Sequence, residues 1–391
     1  LPTLRDEAWR FTDLAPLTRQ PLHPRRAPTV LQAADLTPFL IPEATTRLVF
    51  VDGVYAPHLS CAAPDTASMV GTLQNAPASQ SALLAQHLAQ HATFDNALFT
   101  ALNTAFLQDA AVLTVPRNTA LASPVHLLFI ATQPDTASHP RLLLLAEPGS
   151  SVTLLEDYVA LHAGAGFTNA VGEIVVGAQA RVEHVRLQRE SHQASHLGRC
   201  TVSLARASRY HAVSMALGAR LSRLELAVQQ TDEDTECTLD GLALLSGQQL
   251  ADTHTFIDHA RPHGRSRQLH KTIVDDAAHA VFNGKVMVRP GAQGTDSAQT
   301  SRNLLLTPQA VVDTQPQLEI FADDVKCTHG AAVGQLDSEE IFYLQSRGLS
   351  RDAARKLLTY AFAADVINRI PVASLRQQLE AAVLEQTRHQ P

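Results

Sequence analysis

The sequence is poor in cysteine, aromatic residues and positive charge, and it has no long apolar run. Four cysteines occur among 391 residues, Cys61, Cys200, Cys237 and Cys327, and no two form a Cys-x-x-Cys pair. That scatter fits neither a disulfide framework nor a zinc ribbon, and it points to a reducing, cytoplasmic compartment. Aromatic residues make up 5% of the chain and Trp9 is the single tryptophan, so few rings are available to stack on sugars. Acidic residues outnumber basic ones, 38 to 31, and the net charge of −7 argues against general nucleic-acid binding and against a basic membrane patch. No apolar stretch approaches the roughly 18 residues of a membrane span. Leu1 to Trp9 carries Arg5, Asp6 and Glu7 without an apolar core, unlike a signal peptide. There is no P-loop, no dinucleotide glycine fingerprint, no His-Glu-x-x-His and no His-x-x-x-His on a clear helix. Gly164-Ala165-Gly166 lacks a third glycine in place and reads as a turn, and no residue supports a flavin site.

The length allows two or three domains, and an apolar content of 45% is enough for a sizeable core. Residues 1–110 read as a mixed, mainly helical N-terminal part. Trp9 to Leu14 is an aromatic and polar cluster of the kind that anchors a turn. Prolines at 21, 24, 28, 38 and 42 break the next stretch into loops. Leu48 to Val51 followed by Asp52-Gly53 reads as a strand entering a turn, with Val54-Tyr55 as its return. Ser81 to Asp109 carries helical spacing through Leu84, Leu88, Phe94, Leu98, Leu102 and Phe106, with Asp95 as a candidate cap.

From Val112 the character changes. Short apolar runs such as Val125 to Ala131, Leu142 to Leu145 and Val152 to Leu155 alternate with turns of Gly, Pro, Asn and Ser. No amphipathic helix interrupts them before Leu336, so 111–335 reads as strand and turn. A weak theme recurs in the turns Glu147-Pro148-Gly149-Ser150, Gly177-Ala178-Gln179-Ala180, Pro290-Gly291-Ala292-Gln293 and Pro308-Gln309-Ala310. Its spacing is irregular. Short strands turned by small residues suit a parallel β-helix, in which each coil buries its inner residues on the next, and they equally suit a β-sandwich or barrel.

Residues 336–391 read as helices. Asp337-Ser338-Glu339-Glu340 is a capping-box pattern, Gly348 ends the first helix and Ser350 opens the next. Leu357, Leu358, Ala361, Phe362 and Val366 supply an apolar face. Pro371 breaks that helix, and Ser374 to Gln377 opens a last one. Such a helical hairpin either caps the end of a solenoid or presents a docking face to a partner.

The seam between strands and helices carries the chemistry. Cys327-Thr328-His329 sets a thiol and an imidazole two residues apart, so both face one side of an extended segment. Both bind transition metals, but one such pair supplies only two ligands, and a buried Cys beside a hydrogen-bonded His satisfies the same spacing.

Several long blocks resemble the SufB/SufD family, and within it SufD rather than SufB. They are Ser266 to Val274, Ala280 to Val286, Gln299 to Leu306 and Pro316 to Gly330, continued by Gly334 to Val366. Ala101 to Phe106 and the Trp9 cluster resemble the family's N-terminal part. The resemblance implies a mainly β fold, a right-handed parallel β-helix flanked by helical N-terminal and C-terminal parts. It implies a non-catalytic scaffold of iron–sulfur cluster assembly that pairs with a SufB-like paralogue and a SufC-like ABC-type ATPase, or with itself when isolated. It implies that His329, and with less weight Cys327, lies at the SufB interface where a transient cluster forms, with no stably bound cofactor. The C-terminal helices would then dock SufC through Ile341, Phe342, Leu344, Leu357, Leu358 and Phe362. Iron–sulfur assembly needs thiolate and imidazole ligands that release a finished cluster, so one or two ligands per subunit suit it.

The competing reading is a secreted-type β-helix enzyme acting on carbohydrates through paired acids. Asp232-Glu233-Asp234-Thr235-Glu236 and Asp275-Asp276 are the acidic candidates, and both read as solvated turns.

Overall fold

The computed structural model describes residues 1–23, 29–76 and 81–386. Pro24 and Pro28 therefore lie outside the described residues, and Pro38 sits inside a 3-10 helix, Ala33–Phe39, rather than in a loop. Strands dominate, and they stack into two parallel sheets facing each other across a common interior. From Phe167 on, successive strands alternate between the sheets and each pairs in parallel with the strand two before it. This is a parallel β-solenoid, and it decides between the two β architectures that hydropathy leaves open.

The coils are of unequal length. Neighbouring strands match Ser195 to Leu221, 26 residues on, and His279 to Val311, 32 residues on. That variation hides the repeat from a search for a fixed period. The repeat shows instead in the backbone of one corner. Gly149, Gln179, Ala207, Asp234, His263 and Gly294 each have positive φ, between 54° and 73°. The N–H of each donates to a carbonyl in the next coil: Ala178, Arg206, Glu233, Pro262, Gln293 and Asp324 in turn. Four of the six residues bear a Cβ, and the left-handed conformation costs each of them about 1 kcal/mol. The inter-coil hydrogen bond that this conformation makes offsets the cost.

The first coils enclose an apolar core built from Leu127, Leu144, Leu154, Ile174, Val202, Val228 and their neighbours. Polar side chains share the interior of these same coils. Glu156 takes hydrogen bonds from Tyr158 and from His184 Nε2 at 2.8 Å, and His184 Nδ1 meets the Tyr210 hydroxyl at 2.9 Å. Burial opposes ionisation of Glu156, yet His184 and Arg186 hold it down to about 2. Fully buried charges of this kind persist only when each is paired.

The N-terminal part is less helical than hydropathy suggests. Thr46–Val51 is a strand that joins the first sheet beside Val125–Ala131, and it turns through Asp52-Gly53 onto Val54–Tyr55 as expected. Helices here are short: α1 (Ala15–Thr18), α2 (Ser81–His87) and α3 (Leu98–Ala105). Asp95 caps neither; Ala97 precedes α3, without a side-chain cap. Trp9 is an anchor, with the Arg223 guanidinium 3.9 Å over its ring and Phe99 5.6 Å away.

A buried ion pair fastens this part to the solenoid. Arg141 Nη2 lies 2.6 Å from Glu173 Oε2, and neither side chain is exposed. Arg141 also donates to Asn103 on α3, and Glu173 accepts the backbone N–H groups of Ala89, His91 and Ala92. Arg141→Ala strands the Glu173 charge in a dry site, and the expected cost is about 3–5 kcal/mol. Urea unfolding of the variant beside the parent chain measures it.

Candidate functional site: an open solenoid end and a flank of helices

The last two strands, Val311–Ile320 and Val325–Gln335, end the two sheets at the same end of the solenoid. Each is paired on one side only, so both offer unpaired backbone groups along an edge. Most of their residues are exposed or half-buried, unlike the strands before them. Pro316, which has no N–H to give, stands in one of these edges, the position a sheet allows it.

Cys327 and His329 lie on the final strand. Register places Cys327 beside Ser297 and His329 beside Gln299. Ser297 and Gln299 are buried, so their column faces the interior, and Cys327 and His329 continue it into the open end. His329 is exposed and Cys327 is half-buried against the cluster of Val286, Val288, Ala292 and Ala322. Burial raises the Cys327 thiol above its ordinary pKa. Metal binding there must therefore expel a proton, which makes affinity rise with pH. Two donors of this kind fill only part of a tetrahedral ligand shell.

Among the described residues, no group of three or more His, Cys, Asp or Glu is arranged to hold a metal ion. His87 and His91, four apart, are a pair that hydropathy passes over because α2 ends at His87. Their Nδ1 and Nε2 atoms meet at 3.0 Å as a hydrogen bond. The other three cysteines are free; Cys200 and Cys237 are buried, and burial drives both thiols far up. The acidic candidates serve corners: Asp234 is one of the left-handed residues, Asp232 bonds the N–H of Glu233, and Asp276 bonds that of Gly247.

The C-terminal helices do not cap the solenoid. Asp337 accepts from Glu339 N at 2.7 Å to start α4 (Ser338–Ser346), and Gly348 at φ +96° ends it. Ser350 caps α5 (Arg351–Ile367). The last helix, α6 (Ala373–Gln386), starts one residue before Ser374, whose N–H and hydroxyl both bond the Glu43 carboxylate. A side chain of the N-terminal part thus does the capping expected of Ser374. α5 and α6 lie along the outer face of one sheet, where Ala363, Val366, Ile367, Leu375 and Leu379 bury Leu187, Met215, Leu244 and Ile273, and α4 packs on α5. The inward face of α5 is rotated from the one hydropathy suggests: Ala354, Thr359, Ala363, Val366 and Ile367 face in, while Leu357 and Ala361 face out. Small alanines let the helix approach the aliphatic ridge of the sheet closely.

Polar contacts pin this seat. Lys271, itself buried, gives hydrogen bonds to Asp365 at 2.9 Å and to the Phe362 carbonyl at 3.0 Å, under the Phe362 ring. Ile341 is buried and Phe362, Leu344 and Leu358 are half-buried, whereas Phe342, Tyr343 and Leu357 stay exposed at 72%, 58% and 43%. Among the described residues, no helix is long and apolar enough to cross a membrane.

Two family models match the chain. One, described as SUF system FeS cluster assembly, SufBD core domain, covers residues 129–362; the other, the SufBD protein N-terminal region, covers 1–127. An iron–sulfur cluster assembly SufBD family protein of Synechocystis is 41% identical over 98% of this chain and 87% of its own length. The iron–sulfur cluster assembly protein SufD of Escherichia coli is 34% identical over 98% of this chain and 88% of its own. A chloroplastic protein of Arabidopsis thaliana, ABCI7, is 32% identical over 96% and 81%.

His211 makes the helix seat depend on pH. It bridges Glu183 at 2.7 Å and Asp240 at 3.0 Å, and Asp240 in turn holds Arg369 just beyond α5 at 2.9 Å. Burial works against its charge, but the two carboxylates raise its pKa from 6.5 to about 9. Its stabilisation is complete below pH 6.5 and lost as pH rises through 9. Unfolding free energy should therefore decline across that window, and urea titrations should show the decline flattened in His211→Gln.

Proposed function

This chain belongs to the SufBD family of iron–sulfur cluster assembly proteins, and from that premise we propose that it is a non-catalytic scaffold whose open solenoid end joins a SufB-type paralogue. The observation that carries the reading is the placement of His329: exposed, on an unpaired edge strand, with Cys327 two residues before it on the same inward column. A second solenoid docking edge to edge continues both sheets and satisfies the free backbone groups. It also brings the remaining ligands to any iron held by His329 and Cys327. The nascent cluster is cargo on this reading: an incomplete ligand set keeps it exchangeable. The neutral imidazole and the ionised thiolate bind the iron, and the half-buried thiol gives up its proton to do so.

The exposed ridge of Phe342, Tyr343 and Leu357 is the docking face for an ABC-type ATPase of the SufC kind, with Leu344 and Leu358 at its border and Ile341 and Phe362 supporting it from beneath. An exposed aromatic and aliphatic patch on helices held by Lys271 and Arg369 suits a permanent partner. Free, dispersed cysteines suit a compartment that keeps thiols reduced, and the cytoplasm is the one proposed.

Two measurements test these roles. With His329→Ala, purified complex should hold well under half the iron and sulfide of the parent after anaerobic reconstitution, while the paralogue still co-purifies. Undiminished cluster content removes the role. With Phe342→Asp, co-purification of the ATPase should fall by about tenfold or more, as for loss of an aromatic anchor, while pairing with the paralogue persists.

A further inference from the structure

One coil inside the open end, Gln299 presents an anomaly. Its side chain is 1% exposed, and neither its amide nitrogen nor its amide oxygen has a hydrogen-bond partner. Leaving a buried amide unpaired costs about 1–3 kcal/mol, so its persistence needs a reason. The preceding coil supplies a comparison. Gln268 occupies the same column, and its amide oxygen accepts from Thr255 Oγ1 at 2.8 Å across the interior. In the next coil the residue beside Thr255 is Gly284. The hydroxyl that satisfies the Gln268 oxygen is thus absent where Gln299 needs it; Gln268 keeps one unpaired amide atom, its nitrogen, and Gln299 keeps two.

Glycine is required there for another reason. A Cβ on Gly284 would stand 1.8 Å from Gln299 Nε2 and 2.8 Å from the tip of Phe282. The amide therefore lies directly over the bare backbone of the facing sheet and spans the interior. Beyond it, the outermost coil contributes His329 and Cys327 from one sheet and Thr314 from the other. Thr314 Oγ1 is likewise buried without a partner. The open end thus sets ligand-type residues in register one coil beyond an unspent amide.

We propose that Gln299 is a positioning residue of the cluster-forming site. Its amide N–H donates to inorganic sulfide of the cargo seated on Cys327 and His329, and its carbonyl oxygen accepts the N–H of the His329 ring nitrogen that is not on iron. The inference rests on those two residues carrying the cargo. The chemistry fits each atom. Hydrogen bonds to cluster sulfur stabilise it and set its potential, and a ligating imidazole is oriented by an acceptor on its other nitrogen. A neutral amide does both without adding charge beside the iron.

The test compares Gln299→Leu, Gln268→Leu and His329→Ala in the complex with the SufB-type paralogue and the ATPase. Each is reconstituted with ferrous iron and sulfide and then challenged with a chelator. Thermal unfolding of each apo chain is recorded in parallel. Gln299→Leu should leave the Tm unchanged or raise it, because no hydrogen bond is lost, and should shed cluster about tenfold faster, as for loss of a hydrogen bond worth about 1.4 kcal/mol. Gln268→Leu should do the reverse, lowering the Tm while leaving cluster lifetime alone. A cluster as durable in Gln299→Leu as in the parent overturns the inference. So does a Tm fall matching that of Gln268→Leu, which would mark the amide as structural. If His329→Ala also retains its cluster, the underlying assignment of the site fails with it.

Discussion

Every feature of this molecule depends on in-register stacking of one coil on the next. A parallel strand has no local partner; its hydrogen bonds go entirely to residues about thirty positions away. Once a coil is laid down, its corner, its strands and its inward side chains are dictated by the coil beneath. That is why Gln, Ala, Asp and His all adopt a left-handed conformation at equivalent corners. The inter-coil bond of each makes up for strain that an isolated turn would not tolerate.

Such stacking has no intrinsic end. A solenoid stops either under a cap or at an edge, and here it stops at an edge. The helices that follow the last strand turn away along the flank of one sheet, drawn there by the aliphatic ridge of Leu187, Met215, Leu244 and Ile273 and pinned by Lys271. The final coil is left with a free backbone edge, a thiol and an imidazole.

The legible parts of the fold are those whose physics is local. The Asp52-Gly53 hairpin, the caps at Asp337 and Ser350 and the stop at Gly348 each follow from a few adjacent residues. The solenoid does not, for two reasons. Coil lengths vary from 26 to 32 residues, so no period survives. The inward positions of the later strands are also polar: Thr295–Leu305 alternates in burial, yet its inward residues are Ser297, Gln299, Ser301 and Asn303, which hydropathy assigns to solvent. Long-range identity of whole blocks, not pattern, singled out the fold. For the candidate site, the placement of Cys327 and His329 on one column is legible because an extended segment sets i and i+2 on one face. The unpaired amide of Gln299 is not legible, since it follows from the glycine that faces it, Gly284. The capping of α6 by Glu43 was equally hidden, because the two lie at opposite ends of the chain.

The flank and the open end are two faces of one backbone. In Arg265–Val274, Lys271 points outward to hold α5, while His270 and Gln268 point inward, the former stacked on Phe282 at 4.3 Å. The neighbouring strand carries Gln299 in the column of Gln268 and lies between it and His329. Inward and outward side chains alternate along a strand, so a displacement of α5 that drags Lys271 also moves the residue adjacent to it in the interior. Dense packing passes such a shift on rather than absorbing it. One strand, Thr295–Leu305, separates the strand of Lys271 from the edge that bears the imidazole. The helix seat and the open end are thus joined through one continuous sheet.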